Sequence, residues 1–238
     1  MKIPLRALVA AGLATAMMEA GCGTPDEAAR RATMLQEIRS TYRSAGTGRP
    51  DEAVLHAMGR VRRHEFVPPE LEASAYDNRP LPIGSGQTIS QPYIVALMTD
   101  LARVKKGDRV LEVGTGSGYQ AAVLAEMGAA VYTIEIVPAL AETARERLAR
   151  LGYAGVSVVA GDGYEGIPAY APYDAIVVTA GAAHVPPALL SQLKPGGRMV
   201  IPVGDPMGYQ ELAIVEKAAD GSVKARTVIP VRFVPLTR

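Results

Sequence analysis

Asp108-Arg-Val-Leu-Glu-Val-Gly-Thr-Gly-Ser-Gly-Tyr119 decides how the rest of the chain is read. Residues 110–113 are a short apolar run, as a buried strand should be. Glycines follow at alternate positions, Gly114, Gly116 and Gly118. Over 119–127 the spacing turns helical, with Ala122, Leu124 and Ala125 available for burial. Strand, glycine turn and helix form the ligand-binding corner of an open parallel α/β sheet. Glycine there permits backbone conformations closed to other residues and lets a ligand approach the main chain. Dinucleotide folds space their glycines as Gly-x-Gly-x-x-Gly. This chain has Glu-x-Gly-x-Gly-x-Gly, which disfavours a nicotinamide oxidoreductase.

Downstream, strands and helices alternate. A second strand over 130–135 ends in Glu135, and a helix over 138–151 stops at Gly152. A third strand, 156–160, runs into Gly161-Asp-Gly163; a fourth, 173–179, is almost wholly apolar, as a strand covered on both faces should be. A short helix over 186–193 and a turn at Lys194-Pro-Gly-Gly197 lead to a fifth strand, 198–203. Residues 211–216 and 223–233 read as a closing antiparallel pair joined through Asp220-Gly221. The expected fold is α/β: a Rossmann-like, mostly parallel seven-stranded sheet with an antiparallel C-terminal strand and helices on both faces.

Composition sets outer bounds. The 238 residues are 48% hydrophobic and 21% charged, enough to bury a core. Charge is balanced, 25 Lys+Arg against 24 Asp+Glu, so no nucleic-acid partner gains support. The three histidines, His56, His64 and His184, have no metal-ligand spacing with one another or with Cys22, and no metal is expected. A monomer is expected.

The amino terminus has the pattern of an export signal over 1–21. Lys2 and Arg6 are basic, residues 7–18 form a short apolar stretch, and Ala20-Gly21-Cys22 resembles the end of a bacterial lipobox. Glu19 departs from the aliphatic residue usual there, and cleavage after Ala16 competes. The expectation is an exported, periplasmic or lipid-anchored protein, with membrane attachment through a lipidated Cys22; a cytoplasmic protein with a buried N-terminal helix is the alternative.

Residues 22–60 read as a helical extension. Thr24-Pro25-Asp26-Glu27 is a helix start, and Met34, Leu35, Ile38 and Tyr42 form its apolar stripe. Asp51 caps a second helix that turns Val54, Leu55 and Met58 inward. Residues 61–238 form the main domain. Its first part, 61–92, is rich in prolines and glycines and reads as a long irregular segment with a functional role. Ser90-Gln91-Pro92 then opens a helix for which Ser90 is a good cap.

The glycine turn resembles motif I of S-adenosylmethionine-dependent methyltransferases. On that resemblance Gly114, Thr115, Gly116 and Gly118 would approach the cofactor. Glu135, at the end of the second strand, can accept from both hydroxyls of an adenosine ribose; otherwise it is an exposed strand-end acid. Asp162, with Gly163 beside it, can accept from the adenine amino group; otherwise it is an Asp-Gly turn. Glu112 can reach the methionine end of the cofactor, or it serves a structural pairing.

The acceptor is indicated by a second resemblance. Pro82-Ile-Gly-Ser-Gly-Gln-Thr-Ile-Ser-Gln-Pro92 resembles the substrate segment of protein-L-isoaspartate O-methyltransferases. So do Arg63-His-Glu-Phe-Val-Pro68, Gly161-Asp-Gly-Tyr-Glu-Gly166, Leu193-Lys-Pro-Gly-Gly-Arg198 and Val234-Pro-Leu-Thr237. The likeness runs from about Leu55 to the end of the chain. It implies methyl transfer from S-adenosylmethionine to the α-carboxylate of L-isoaspartyl residues in damaged proteins, which starts their repair. It places the catalytic serine at Ser90, Thr88 and Ile89 at the border of cofactor and substrate, and Thr237 near the cofactor.

This chemistry suits those residues. A carboxylate, with a pKa of about 3.5–4, is already ionised at neutral pH and needs no general base. Holding its oxygen in line with the methyl can supply up to about 7–11 kcal/mol. Ser90 and the N–H groups that follow it at a helix start are expected to orient that anion. Two alternatives stand beside this reading: a methyltransferase with a small-molecule acceptor, and a non-catalytic lipid-anchored binding protein on the same fold.

Overall fold

The computed structural model describes residues 25–205 and 207–238. The expected export signal and Cys22 lie outside the described residues. Two helices come first, α1 (Pro25–Ser44) and α2 (Glu52–Arg60). The stripe Met34, Ile38 and Tyr42 on α1 is fully buried. Asp51 caps α2, accepting the Ala53 N–H at 2.8 Å. Both helices pack into the same apolar core as the sheet.

The segment before the sheet is more regular than its turn-rich sequence predicts. Two short 3-10 turns (Arg63–Phe66 and Pro69–Ser74) precede a hairpin, β1 (Leu81–Gly84) and β2 (Gln87–Ile89). Leu81 pairs with Ile89 and Pro82 with Thr88. Ser85 and Gly86 both take positive φ, 50° and 70°, as a tight hairpin turn requires. Helix α3 (Pro92–Ala102) follows.

The main sheet contains β3 (Arg109–Val113), β4 (Ala130–Glu135), β5 (Ser157–Ala160), β6 (Tyr173–Val178), β7 (Leu193–Gly204), β8 (Gln210–Lys217) and β9 (Val223–Val231). Its order is β5-β4-β3-β6-β7-β8-β9. The first five run parallel, β8 runs antiparallel to β7, and β9 pairs antiparallel with β8. Strand order reverses between β3 and β6, the place where such sheets bind ligands. Helices α4 (Tyr119–Glu126) and α5 (Pro138–Arg150) join β3 to β4 and β4 to β5; α6 (Pro187–Gln192) joins β6 to β7.

Side chains alternate between the two faces as strand geometry dictates. Val110, Ala175, Val177 and Val200 face the core beneath α3 and α4, while Leu111, Ile176, Val178 and Ile201 face the core beneath α6. The turn expected at 194–197 is absorbed into β7. Leu193 already pairs with Tyr173 and Arg198 with Ala175, so the residues between them bulge, with Gly196 at φ 84°. After β9 the chain returns over the sheet's edge. Gly181 N–H donates to the Val234 carbonyl and Leu236 N–H to the Gly181 carbonyl, both at 2.8 Å. This brings residues 234–237 above the C-terminal ends of β3 and β6.

Candidate active site

The cleft at those strand ends is built from the glycine turn outward. Gly114 adopts φ 98°, and a Cβ there would lie 2.5 Å from the Thr179 Oγ1. That hydroxyl donates to the Gly114 carbonyl at 2.6 Å, locking the turn to the end of β6. Gly118, at φ 89°, opens α4 and packs against Leu148, so its role is in the helix entry and not in the cleft wall.

Glu135 reaches back from β4 to the turn. Its Oε2 accepts the Gly116 N–H at 2.8 Å and its Oε1 the Val137 N–H at 3.0 Å. Each oxygen keeps lone-pair capacity for a further donor. Only 5% of Glu135 is exposed, so it is not the exposed strand-end acid of the alternative reading.

Glu112 is completely buried at the cleft floor. Thr133 donates to its Oε2 at 2.5 Å, and the Thr133 hydroxyl lies 2.6 Å from that of Thr115. Burial, and secondarily the nearby Glu135, raise the Glu112 pKa to about 8, against the Thr133 hydrogen bond that lowers it. Among the described residues, two buried polar atoms of cleft-lining side chains have no hydrogen-bond partner, Glu112 Oε1 and Gln120 Oε1. Buried polar groups are ordinarily satisfied. A ligand bearing positive charge and hydrogen-bond donors, such as an amino-acid ammonium and ribose hydroxyls, fits two buried acids and these orphaned atoms.

Thr88, Ile89, Ser90, Glu112, Gly114, Thr115, Gly116, Glu135, Gly163 and Thr237 all line this one cleft. Asp162 does not. Its Oδ1 accepts the Tyr164 N–H at 2.8 Å in an Asp turn, and its Oδ2 lies 3.9 Å from the Arg238 guanidinium. Sequence reasoning did not single out Thr179, Gln120 or Tyr119 as cleft residues. Thr179 had a signal, its place just past the end of a central parallel strand.

Ser90 differs from its expected role as a cap. The cap position of α3 is Gln91, which makes no side-chain cap bond. Asn78, far away in sequence, accepts the Tyr93 N–H through Oδ1 at 3.0 Å. Pro92 has no N–H, so the helix start offers fewer free donors than expected. Ser90 instead lines two cavities. One is the cleft just described; the other is bounded by Pro80, Gln91, Ile94, Arg232 and Phe233. Thr88, Thr179 and Val234 also border both.

Sheet order, glycine turn and paired strand-end acids define the Rossmann-like methyltransferase class. Residues 29–238 match the family model for protein-L-isoaspartate(D-aspartate) O-methyltransferase. The chain belongs to this family. It is 59% identical over 213 residues to protein-L-isoaspartate O-methyltransferase 2 of Syntrophobacter fumaroxidans, covering 88% of this chain and 86% of that one. The corresponding Polaromonas protein is 61% identical over 208 residues, covering 86% and 99%. Protein-L-isoaspartate O-methyltransferase 1 of Cupriavidus necator is 56% identical over 238 residues, covering 98% and 92%. Among solved structures, a protein-L-isoaspartate O-methyltransferase superposes with a TM-score of 0.77 at 29% identity, over 87% of this chain and 66% of that one. A Plasmodium falciparum structure described as a putative family member in complex with S-adenosyl-L-homocysteine shares the fold, with a TM-score of 0.73 at 24% identity over 87% and 98%.

Proposed function

We propose that this chain is a protein-L-isoaspartate O-methyltransferase that uses S-adenosylmethionine to esterify the α-carboxylate of L-isoaspartyl residues in damaged proteins. The observation that carries the reading is the position of Ser90 at the junction of two cavities, in a chain of this family.

The donor supplies an activated methyl on a sulfonium. Glu135, Glu112, Gln120 and the glycine turn suit its polar groups, and Glu135 complements its positive charge. The neighbouring cavity suits the acceptor. The Ser90 hydroxyl orients an acceptor oxygen that is already ionised, so the site has no base to provide. Thr88 and Thr179, bordering both cavities, help enclose the transfer and exclude water.

The test is methyl transfer to a synthetic peptide containing one L-isoaspartyl residue, beside the same peptide with L-aspartate. Methylation of the first alone supports the reading. Methylation of neither, with turnover of a small molecule, supports the alternative acceptor class; donor binding without any turnover supports a binding protein.

The amino-terminal pattern, with Lys2, Arg6 and Ala20-Gly-Cys22, supports export and anchoring through a lipidated Cys22. Mass spectrometry of the mature protein tests this. A retained Met1 contradicts export, and a mature chain lacking a diacylated N-terminal Cys22 contradicts anchoring.

A further inference from the structure

Arg63 is a completely buried side chain behind the site. Its Nε donates to the Ala75 carbonyl at 2.7 Å and its Nη2 to the Ser90 carbonyl at 2.8 Å. Its guanidinium carbon lies 4.7 Å from the centroid of the Tyr119 ring. Nη1 is buried without a partner. Among the described residues no carboxylate pairs with this cation.

Such an arrangement is costly. Removing a cation from water without a counter-ion is strongly unfavourable. Carbonyls and an aromatic face offset only part of it. Burial pulls the Arg63 pKa down, yet a guanidinium remains charged in proteins. The protein therefore keeps a buried positive charge behind Ser90 and Tyr119, both of which line the cleft.

The reaction gives that charge a use. It converts an anionic carboxylate into a neutral ester. The floor of the donor cleft carries Glu135, which complements a cationic donor and opposes an anionic acceptor, beside the buried Glu112. Among the described residues, Arg232 is the one ionisable residue lining the acceptor cavity, and it is exposed. Water and salt screen an exposed charge strongly and a buried one much less.

We propose that Arg63 is a positioning residue for the acceptor: it fixes the Ser90 main chain and makes the acceptor pocket prefer a carboxylate over its neutral ester. The inference rests on the isoaspartyl reading above. Substrate is drawn in as an anion, and the product loses that attraction once it is methylated.

The test compares two peptides by calorimetry in the presence of S-adenosylhomocysteine, without turnover. One carries L-isoaspartate with its free α-carboxylate; the other carries the α-carboxamide. The wild-type chain should bind the carboxylate tighter by about tenfold or more. Arg63→Met should bring the ratio near one, while Arg232→Ala keeps most of it. A merely structural role for Arg63 weakens both peptides alike and leaves the ratio unchanged, which overturns the proposal. A wild-type ratio near one, or its loss in Arg232→Ala, also overturns it; these arms decide even if Arg63→Met does not fold. Binding of neither peptide by the wild-type chain overturns the isoaspartyl reading and this inference with it.

Discussion

Asn78 caps the helix that begins beside Ser90: its Oδ1 accepts the Tyr93 N–H at 3.0 Å. The Gln91 side chain fastens the same loop, donating to the Asn78 carbonyl at 2.9 Å. Capping is thus supplied from 15 positions upstream, and the Ser90 hydroxyl is free for other work. Asn78→Ala should cost about 1 kcal/mol, as loss of a helix cap does. Ser90→Gly removes no cap and should change stability by less, roughly 0.5 kcal/mol at most. Urea unfolding of the two variants checks the contrast.

Glu112 gives the fold a pH dependence of known sign. Its pKa rises from an ordinary 4.5 to about 8 in the folded chain, chiefly through burial. Between these values the folded state holds a proton that the unfolded chain has released. Stability therefore falls as pH rises through this window and levels off above it, by at most roughly 1.4 kcal/mol per pH unit. Glu112→Gln keeps the shape and cannot ionise. It should flatten that component of the slope, seen in chemical unfolding at successive pH values in the absence of donor.

Glu135 ties two backbone N–H groups to the end of β4. Glu135→Ala leaves both donors without their side-chain partner. A cost of about 1–3 kcal/mol is expected if water cannot reach them. Affinity for S-adenosylhomocysteine should fall by about tenfold or more, since hydrogen bonds to a charged group carry about 1.5–3 kcal/mol. Calorimetry on the folded variant separates the affinity loss from the stability loss.

Gly114→Ala would place a Cβ 2.5 Å from the Thr179 Oγ1 on a backbone at φ 98°. Both the contact and the conformation oppose a side chain, so destabilisation of about 1–3 kcal/mol is expected, together with weakened donor binding. Thermal unfolding with and without S-adenosylhomocysteine measures both effects.

The donor half of the site was legible because its signals are local. A strand, alternate glycines and an acid at the next strand's tip lie within one βαβ unit, and each follows from backbone geometry. Glu135 and Gly114 could be placed from spacing alone. The acceptor half depends on contacts between distant segments. Nothing near Ser90 in sequence reveals that Asn78 caps its helix, or that Arg63 grips its carbonyl. The β1–β2 hairpin hid in a proline-rich segment because each strand is short and irregular. Gln120 and Tyr119 looked like helix core, and only the fold shows that both residues line a cleft.

The most direct measurement is single-turnover methyl transfer by Ser90→Gly at saturating S-adenosylmethionine and isoaspartyl peptide. The rate should fall by about 100-fold or more, as loss of a positioning contact at the reacting centre can produce, with unfolding midpoint and S-adenosylhomocysteine affinity close to wild type. A variant that transfers methyl at the wild-type rate would contradict the claim that this hydroxyl aims the acceptor at the donor.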